Sequence, residues 1–168
     1  GSAMRWSDMA AESGLGLRST VLSVPTPDLG RRLDRITGSY PSTVIDTPPG
    51  HGRIVSAAVA MSDLVVVPCQ PGLADLDRIW PTLELIDEAG RTGLVVLNRI
   101  RTGTTSLSST LDALDEAGVP VAESLVPQRE AISTTYGYRP GVALVRVGDE
   151  LLDELESYVK PRRRRRAS

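Results

Sequence analysis

The chain has 168 residues, 40% hydrophobic and 24% charged, enough for one domain with a single core. No apolar run approaches a membrane span, no secretory signal opens the sequence, and one cysteine excludes an internal disulfide, which fits a cytosolic setting. Net charge is −2 but uneven: Arg162–Arg166 are five consecutive arginines, so the tail carries +5 and the rest of the chain is near −7.

Taken in order, Met4 to Glu12 is compatible with a short helix, broken by Gly14 and Gly16. Thr20 to Val24 reads as a strand, and Pro25-Thr-Pro27 leads to a helix with Leu29, Leu33 and Ile36 on one face. Gly38-Ser-Tyr-Pro41 is a turn into Thr43–Ile45, a β-branched run predicting a strand that ends on Asp46. Pro48 and Pro49 lack N–H donors and cannot continue a ladder. A helix comes next from Arg53 to Met61, then a strand from Asp63 to Pro68, whose run Leu64-Val-Val-Val67 predicts cover on both faces. Leu76, Ile79, Trp80, Leu83 and Ile86 give the next helix a core-facing stripe, with Pro81 expected to kink it or mark its start. The strand Gly93–Leu97 ends at Asn98. Thr104 or Ser106 can cap a helix carrying Leu107, Leu111 and Leu114, closed by Gly118. Val119 to Val126 reads as a short strand, Arg129 to Tyr136 as a helical stretch, and Val147 to Val159 as the closing helix. The alternation predicts an α/β fold, a doubly wound, mostly parallel sheet with helices on both faces, in one domain (1–160) followed by a basic tail (161–168).

In such a sheet, ligands bind outside the carboxyl ends of the strands. Three expected strand ends carry suitable polar residues. Asp46 before Thr47-Pro-Pro49 offers a carboxylate suited to a hydrated Mg²⁺ riding on nucleotide phosphates, or simply a cap for the next turn. Asn98 has the donor and acceptor that an adenine edge pairs with, or is an ordinary turn residue. Leu125-Val-Pro127 followed by Gln128-Arg129-Glu130 can clamp the other side of a base, or is an ordinary loop. The lone His51 sits in a glycine loop and is expected to be solvated, and no Cys/His cluster could hold zinc. The arginine tail either binds a polyanion, with the salt sensitivity of counterion release, or solubilises the end of the chain.

In their order and spacing, Val44-Ile-Asp-Thr-Pro-Pro49, Asp63-Leu-Val-Val-Val-Pro68-Cys-Gln-Pro71, Val95-Val-Leu-Asn-Arg99 and Val126-Pro127 through Gly141-Val142 resemble the ParA/MinD family of ATPases with a deviant phosphate-binding loop. The resemblance implies that Asp46 holds Mg²⁺ through water, that Thr47, Pro48 and the residues to Gly50 form a switch sensing the γ-phosphate, and that Asn98 and Pro127, with Arg129 beside them, lie near the adenine of ATP. The partition branch (ParA) is the closer, because Pro161-Arg-Arg-Arg-Arg-Arg166 has no apolar face for a membrane. That branch implies a cytoplasmic, nucleoid-associated homodimer that binds non-specific DNA and is stimulated by a ParB-like partner protein. Arg99, Arg101 and Arg162, Arg163, Arg164, Arg165 and Arg166 are the candidates for DNA contact.

The sequence departs from the family at its start. The family opens with a strand, a G-x-x-x-x-G-K-[ST] loop bearing a second lysine, and a strand ending in Asp-x-Asp-Pro-Gln; here the single lysine is Lys160. Gly1 to Asp8 resembles the family segment that comes after Asp-Pro-Gln, so about forty phosphate-cradling residues are expected to be missing. The expectation is that this chain alone binds ATP weakly or not at all and does not hydrolyse it. The alternative is a non-catalytic ParA-like module that uses scaffold and tail for DNA or protein interaction. A synthetase of the same superfamily is a third reading, for which no substrate-binding residues are identified.

Overall fold

The computed structural model describes residues 2–15, 17, 19–24, 30, 32–33, 36, 40–48, 50, 52–135 and 138–159. The Leu29–Ile36 helix in part, the Gly38–Ser39 half of the turn after it, Pro49, His51, the end of the Arg129–Tyr136 stretch and the whole arginine tail lie outside them.

Among the described residues three parallel strands form the sheet in the order β1-β2-β3: β1 is Val65–Cys69, β2 is Gly93–Ile100 and β3 is Val126–Pro127. Around them run α1 (Ser2–Glu12), α2 (Arg53–Met61), α3 (Leu73–Glu88), α4 (Thr105–Glu116), a single-turn α5 (Glu130–Ser133) and α6 (Val142–Tyr158). The register pairs Val65 with Gly93 through to Cys69 with Leu97. Side chains alternate between two faces along each strand. On one face, Val67, Cys69, Val95 and Leu97 pack with Val55 and Val59 of α2, Leu76, Ile79 and Ile86 of α3, and Leu114 of α4. On the other, Leu94, Val96 and Ala122 pack with Val126 and with Leu151 and Leu155 of α6. The result is an α/β fold whose parallel sheet is flanked by helices on both faces.

Several expectations are corrected. Residues 20–24 and 42–48 are irregular, not strands, and Val44 is 93% exposed. A β-branched run becomes a strand only when another strand offers it a ladder, and among the described residues none pairs with Thr43–Ile45. The burial of β1 alternates, with Val67 and Cys69 buried but Val66 and Pro68 exposed, so the predicted double cover fails. Pro81 does not mark the start of α3, which begins at Leu73 and continues seven residues beyond the proline to Glu88. Asn98 does not terminate its strand: Ile100 is buried and extends the apolar set of β2 past it. The expected Val119–Val126 strand breaks into a bridge at Val121, paired with Val95, and the two residues of β3. The closing helix begins at Val142, not Val147, with Gly141 at its N-cap and Gly148 accommodated inside it. Among the described residues no helix is long and apolar enough to cross a membrane.

Candidate functional site at the carboxyl rim of the sheet

The ladder brings Asn98, Arg101, Pro127, Gln128 and Arg129 together. Asn98 pairs with Val126 and Ile100 with Pro127, so β2 and β3 end side by side, and the Gln128 N–H donates to the Ile100 carbonyl at 2.9 Å. The register slips between Asn98 and Ile100, leaving Arg99 in a bulge at φ +54°. This left-handed conformation costs a non-glycine residue on the order of 1 kcal/mol. It is held by a side-chain bond: the Arg99 N–H donates to Asn98 Oδ1 at 2.8 Å. That bond commits the carboxamide oxygen and leaves the Asn98 NH₂ as the group able to donate to a ring nitrogen of a base. Across the rim, Arg101 Nε donates to Gln128 Oε1 at 2.7 Å, joining the segment after β2 to the one after β3. Arg129 is exposed at the N-cap of α5 in an extended conformation.

Thr110 and Glu154 support this rim from positions that periodicity alone does not single out. Thr110 is buried; its Oγ1 accepts the Gly72 N–H at 3.0 Å and donates to the Ser106 carbonyl at 2.8 Å, tying the turn between β1 and α3 to α4. Glu154 of α6 accepts the N–H groups of Glu123 and Ser124 at 2.7 and 2.8 Å, fixing the chain that leads into β3. Partial burial pushes the Glu154 carboxyl up, but bonds from the Ser124 hydroxyl and the two N–H groups outweigh it and leave the group below its ordinary value. No residue-type signal marks Glu154, because its partners are backbone groups some thirty positions away. Cys69, at the end of β1, is buried with its thiol raised by burial and by the nearby Asp75, and so has the profile of an inert core thiol.

Asp46, Thr47 and Pro48 lie elsewhere in kind: they are exposed on the irregular segment 42–48, outside the sheet. That segment is anchored by half-buried Ile45, which packs with the Leu33–Ala58 cluster against α2. Among the described residues no hydrogen bond or ion pair links Asp46 to Asn98 or Pro127. Arg99 and Arg101 are exposed at the rim, and Arg162–Arg166 lie outside the described residues.

The rim gathers polar groups at one end of the sheet. It presents the Asn98 carboxamide, Pro127 and the Arg101 guanidinium braced by Gln128. They do not make a triphosphate site: no lysine-bearing glycine loop is present in the sequence, and among the described residues no group of three His, Cys, Asp or Glu side chains stands ready for a metal ion.

No protein-family model matches the chain. One curated protein, described as a "ParA family protein" of Mycoplasma pneumoniae (strain ATCC 29342 / M129 / Subtype 1), is 30% identical over 60 residues, which is 36% of this chain and 22% of that protein. The match therefore spans about a fifth of the relative's length and supports a ParA-like relation at that coarse level.

Proposed function

We propose that the chain is a ParA-like module of a partition ATPase. In this reading the complete protein binds Mg-ATP, dimerises around it, binds DNA without sequence preference and is released when a ParB-like partner stimulates hydrolysis. The supporting observation is the convergence of Asn98, Pro127, Arg101 and Gln128 on one strand-end rim, in the chain that carries the partial ParA match. Asn98, Pro127 and Arg129 are assigned to the purine end of ATP, with Thr47 and Pro48 as a switch segment and Asp46 as the Mg²⁺-directed carboxylate. Arg99, Arg101 and Arg162–Arg166 are assigned to DNA phosphates, and the protein to the nucleoid.

The chain alone is proposed not to hydrolyse ATP, since its sequence lacks the lysine-bearing glycine loop whose amides and ammonium offset a triphosphate's charge. Exposure of Asp46, outside the sheet, favours a second reading in which the chain is a binding module without nucleotide chemistry. A calorimetric ATP titration with Mg²⁺, run beside duplex-DNA binding over a salt series, tests both. Salt-sensitive, sequence-independent DNA binding that falls when Arg162–Arg166 become alanine supports the proposal, and salt-insensitive or absent binding refutes it. Measurable base-dependent affinity abolished by Asn98→Ala favours the ATPase module, and none favours the binding module. Micromolar ATP affinity would overturn the inactive assignment.

A further inference from the structure

From Thr102 to Gln128 the sequence holds four carboxylates and no lysine or arginine. Two of the four, Asp112 and Asp115, stand on α4 beside a groove of about 510 Å³ that Leu111, Val119, Pro120 and Val121 complete. Both are exposed, and neither side chain has an ion-pair partner among the described residues. Asp115 and Glu116 also close the last turn of α4, which has no basic residue. The helix dipole therefore adds to the negative charge there instead of being offset by a cation. An apolar floor edged by carboxylates suits arginine, whose methylene stem lies on apolar surface while its guanidinium reaches the acid.

We infer that this groove docks the chain's own arginine run, Arg162–Arg166, and so holds it off polyanions. Reach permits the contact. Glu154 of α6 binds the amides of Glu123 and Ser124 through its carboxylate, and Val159 stands five residues further on, at the helix end. The helical rise, one glutamate side chain and two residues of chain back to Val121 put Val159 no more than about 25 Å from the groove. The run spans up to about 24 Å beyond Val159 before its side chains add their own length. Pro161 lacks the N–H that would continue the ladder of α6, so the helix does not dictate the direction of the run. Alternate residues of an extended chain are about 6.6 Å apart, close to the about 5–6 Å between helix positions three apart, so two alternate arginines meet Asp112 and Asp115 together. The same carboxylates repel nucleic-acid phosphates. A basic segment of another molecule is the weaker competitor, because a short tether gives the chain's own run an effective concentration of the order of millimolar.

A nitroxide on Ser168→Cys in the full chain tests the contact without DNA, since Cys69 is buried and stays unlabelled. At low salt the label should broaden the amide signals of Leu111 to Asp115, Val119 and Val121, and dilution should leave that broadening unchanged. Asp112→Asn/Asp115→Asn should reduce it at least about threefold, as the loss of two exposed ion pairs would. Asp149→Asn/Asp153→Asn makes the same net-charge change on α6 and should leave it in place. Broadening confined to the end of α6, spread evenly over the surface, seen only between molecules, or lost equally in both variants would overturn the inference. The masking of the run rests on the proposed DNA reading and is measured separately. Asp112→Asn/Asp115→Asn should raise duplex affinity at least about threefold more than the α6 pair does. Equal rises would refute the masking, whereas no DNA binding by any variant would refute the DNA reading and leave the docking supported by the broadening.

Discussion

Glu154→Gln separates a structural carboxylate from a merely surface one. The wild-type carboxylate accepts two backbone N–H groups, at 2.7 and 2.8 Å, and each such bond to a charged acceptor contributes up to about 1.5–3 kcal/mol when desolvated. Glu154 is only partly buried, so solvent screening brings each nearer to about 1 kcal/mol. Glutamine keeps the shape, retains one weaker acceptor and turns an NH₂ toward the other N–H, for a net loss of about 1–2 kcal/mol. In a domain of this size that lowers Tm by about 2–8 °C. The sign of the pH dependence comes from the depressed carboxyl: its stabilisation is fully present above the ordinary value near 4.5 and is lost as pH falls through the lower folded value. The gap between wild type and Glu154→Gln should therefore be full at neutral pH and close on acidification below that range. Thermal unfolding by circular dichroism over a pH series measures it. Equal Tm values at neutral pH, or a gap that persists in acid, would refute the role assigned to the carboxylate.

Four other substitutions probe the same structure. Leu97 is 0% exposed at the centre of β2, so Leu97→Ala should cost about 2–5 kcal/mol in urea unfolding. Thr110→Val keeps the volume but strands the Gly72 N–H, and should cost about 1–3 kcal/mol by the same measurement. Gly148→Ala meets nothing within 4 Å and should raise stability by about 0.5–1 kcal/mol through better helix propensity. Arg99→Gly should also stabilise, by about 1 kcal/mol, because glycine adopts φ +54° freely, while reducing duplex-DNA binding; a loss of stability would show that the guanidinium holds the rim.

Local pattern controls the helices, and the sequence displays them accordingly. The stripe Leu76, Ile79, Leu83, Ile86 and the glycine before Arg53 define α3 and α2, and the bounds of α2 agree residue for residue with the expectation. Strands depend on partners far along the chain, where local pattern is weaker evidence. The run Val65–Cys69 pairs because Gly93–Leu97 offers it a ladder, while Thr20–Val24 and Thr43–Ile45, with the same residue preferences, have no ladder among the described residues. The early start of α6 is hidden by Gly148, a residue that argues for a break but sits on an open flank where its cost is small. The meeting of Asn98 and Pro127 at one rim is legible because both come after apolar runs, and parallel register aligns such ends. The ties from Thr110 and Glu154 are not, since each acts on backbone N–H groups that no side-chain pattern displays.

These two classes of residue are mechanically linked. The third strand contributes only a bridge at Val121 and the pair Val126–Pro127, too short a ladder to hold its own register. Its position therefore depends on what grips the residues between, and Glu154 does so on the two central amides. Downstream of that grip stand Pro127, Gln128 and, through Gln128, the guanidinium of Arg101. The bulge at Arg99 supplies the other half of the rim at the expense of backbone strain, held by the Asn98 side chain. A rim built this way is as ordered as its ties. Loosening α6 should thus disturb the Pro127–Gln128–Arg101 rim at the sheet's edge before it unfolds the core around Leu94, Leu97 and Leu114.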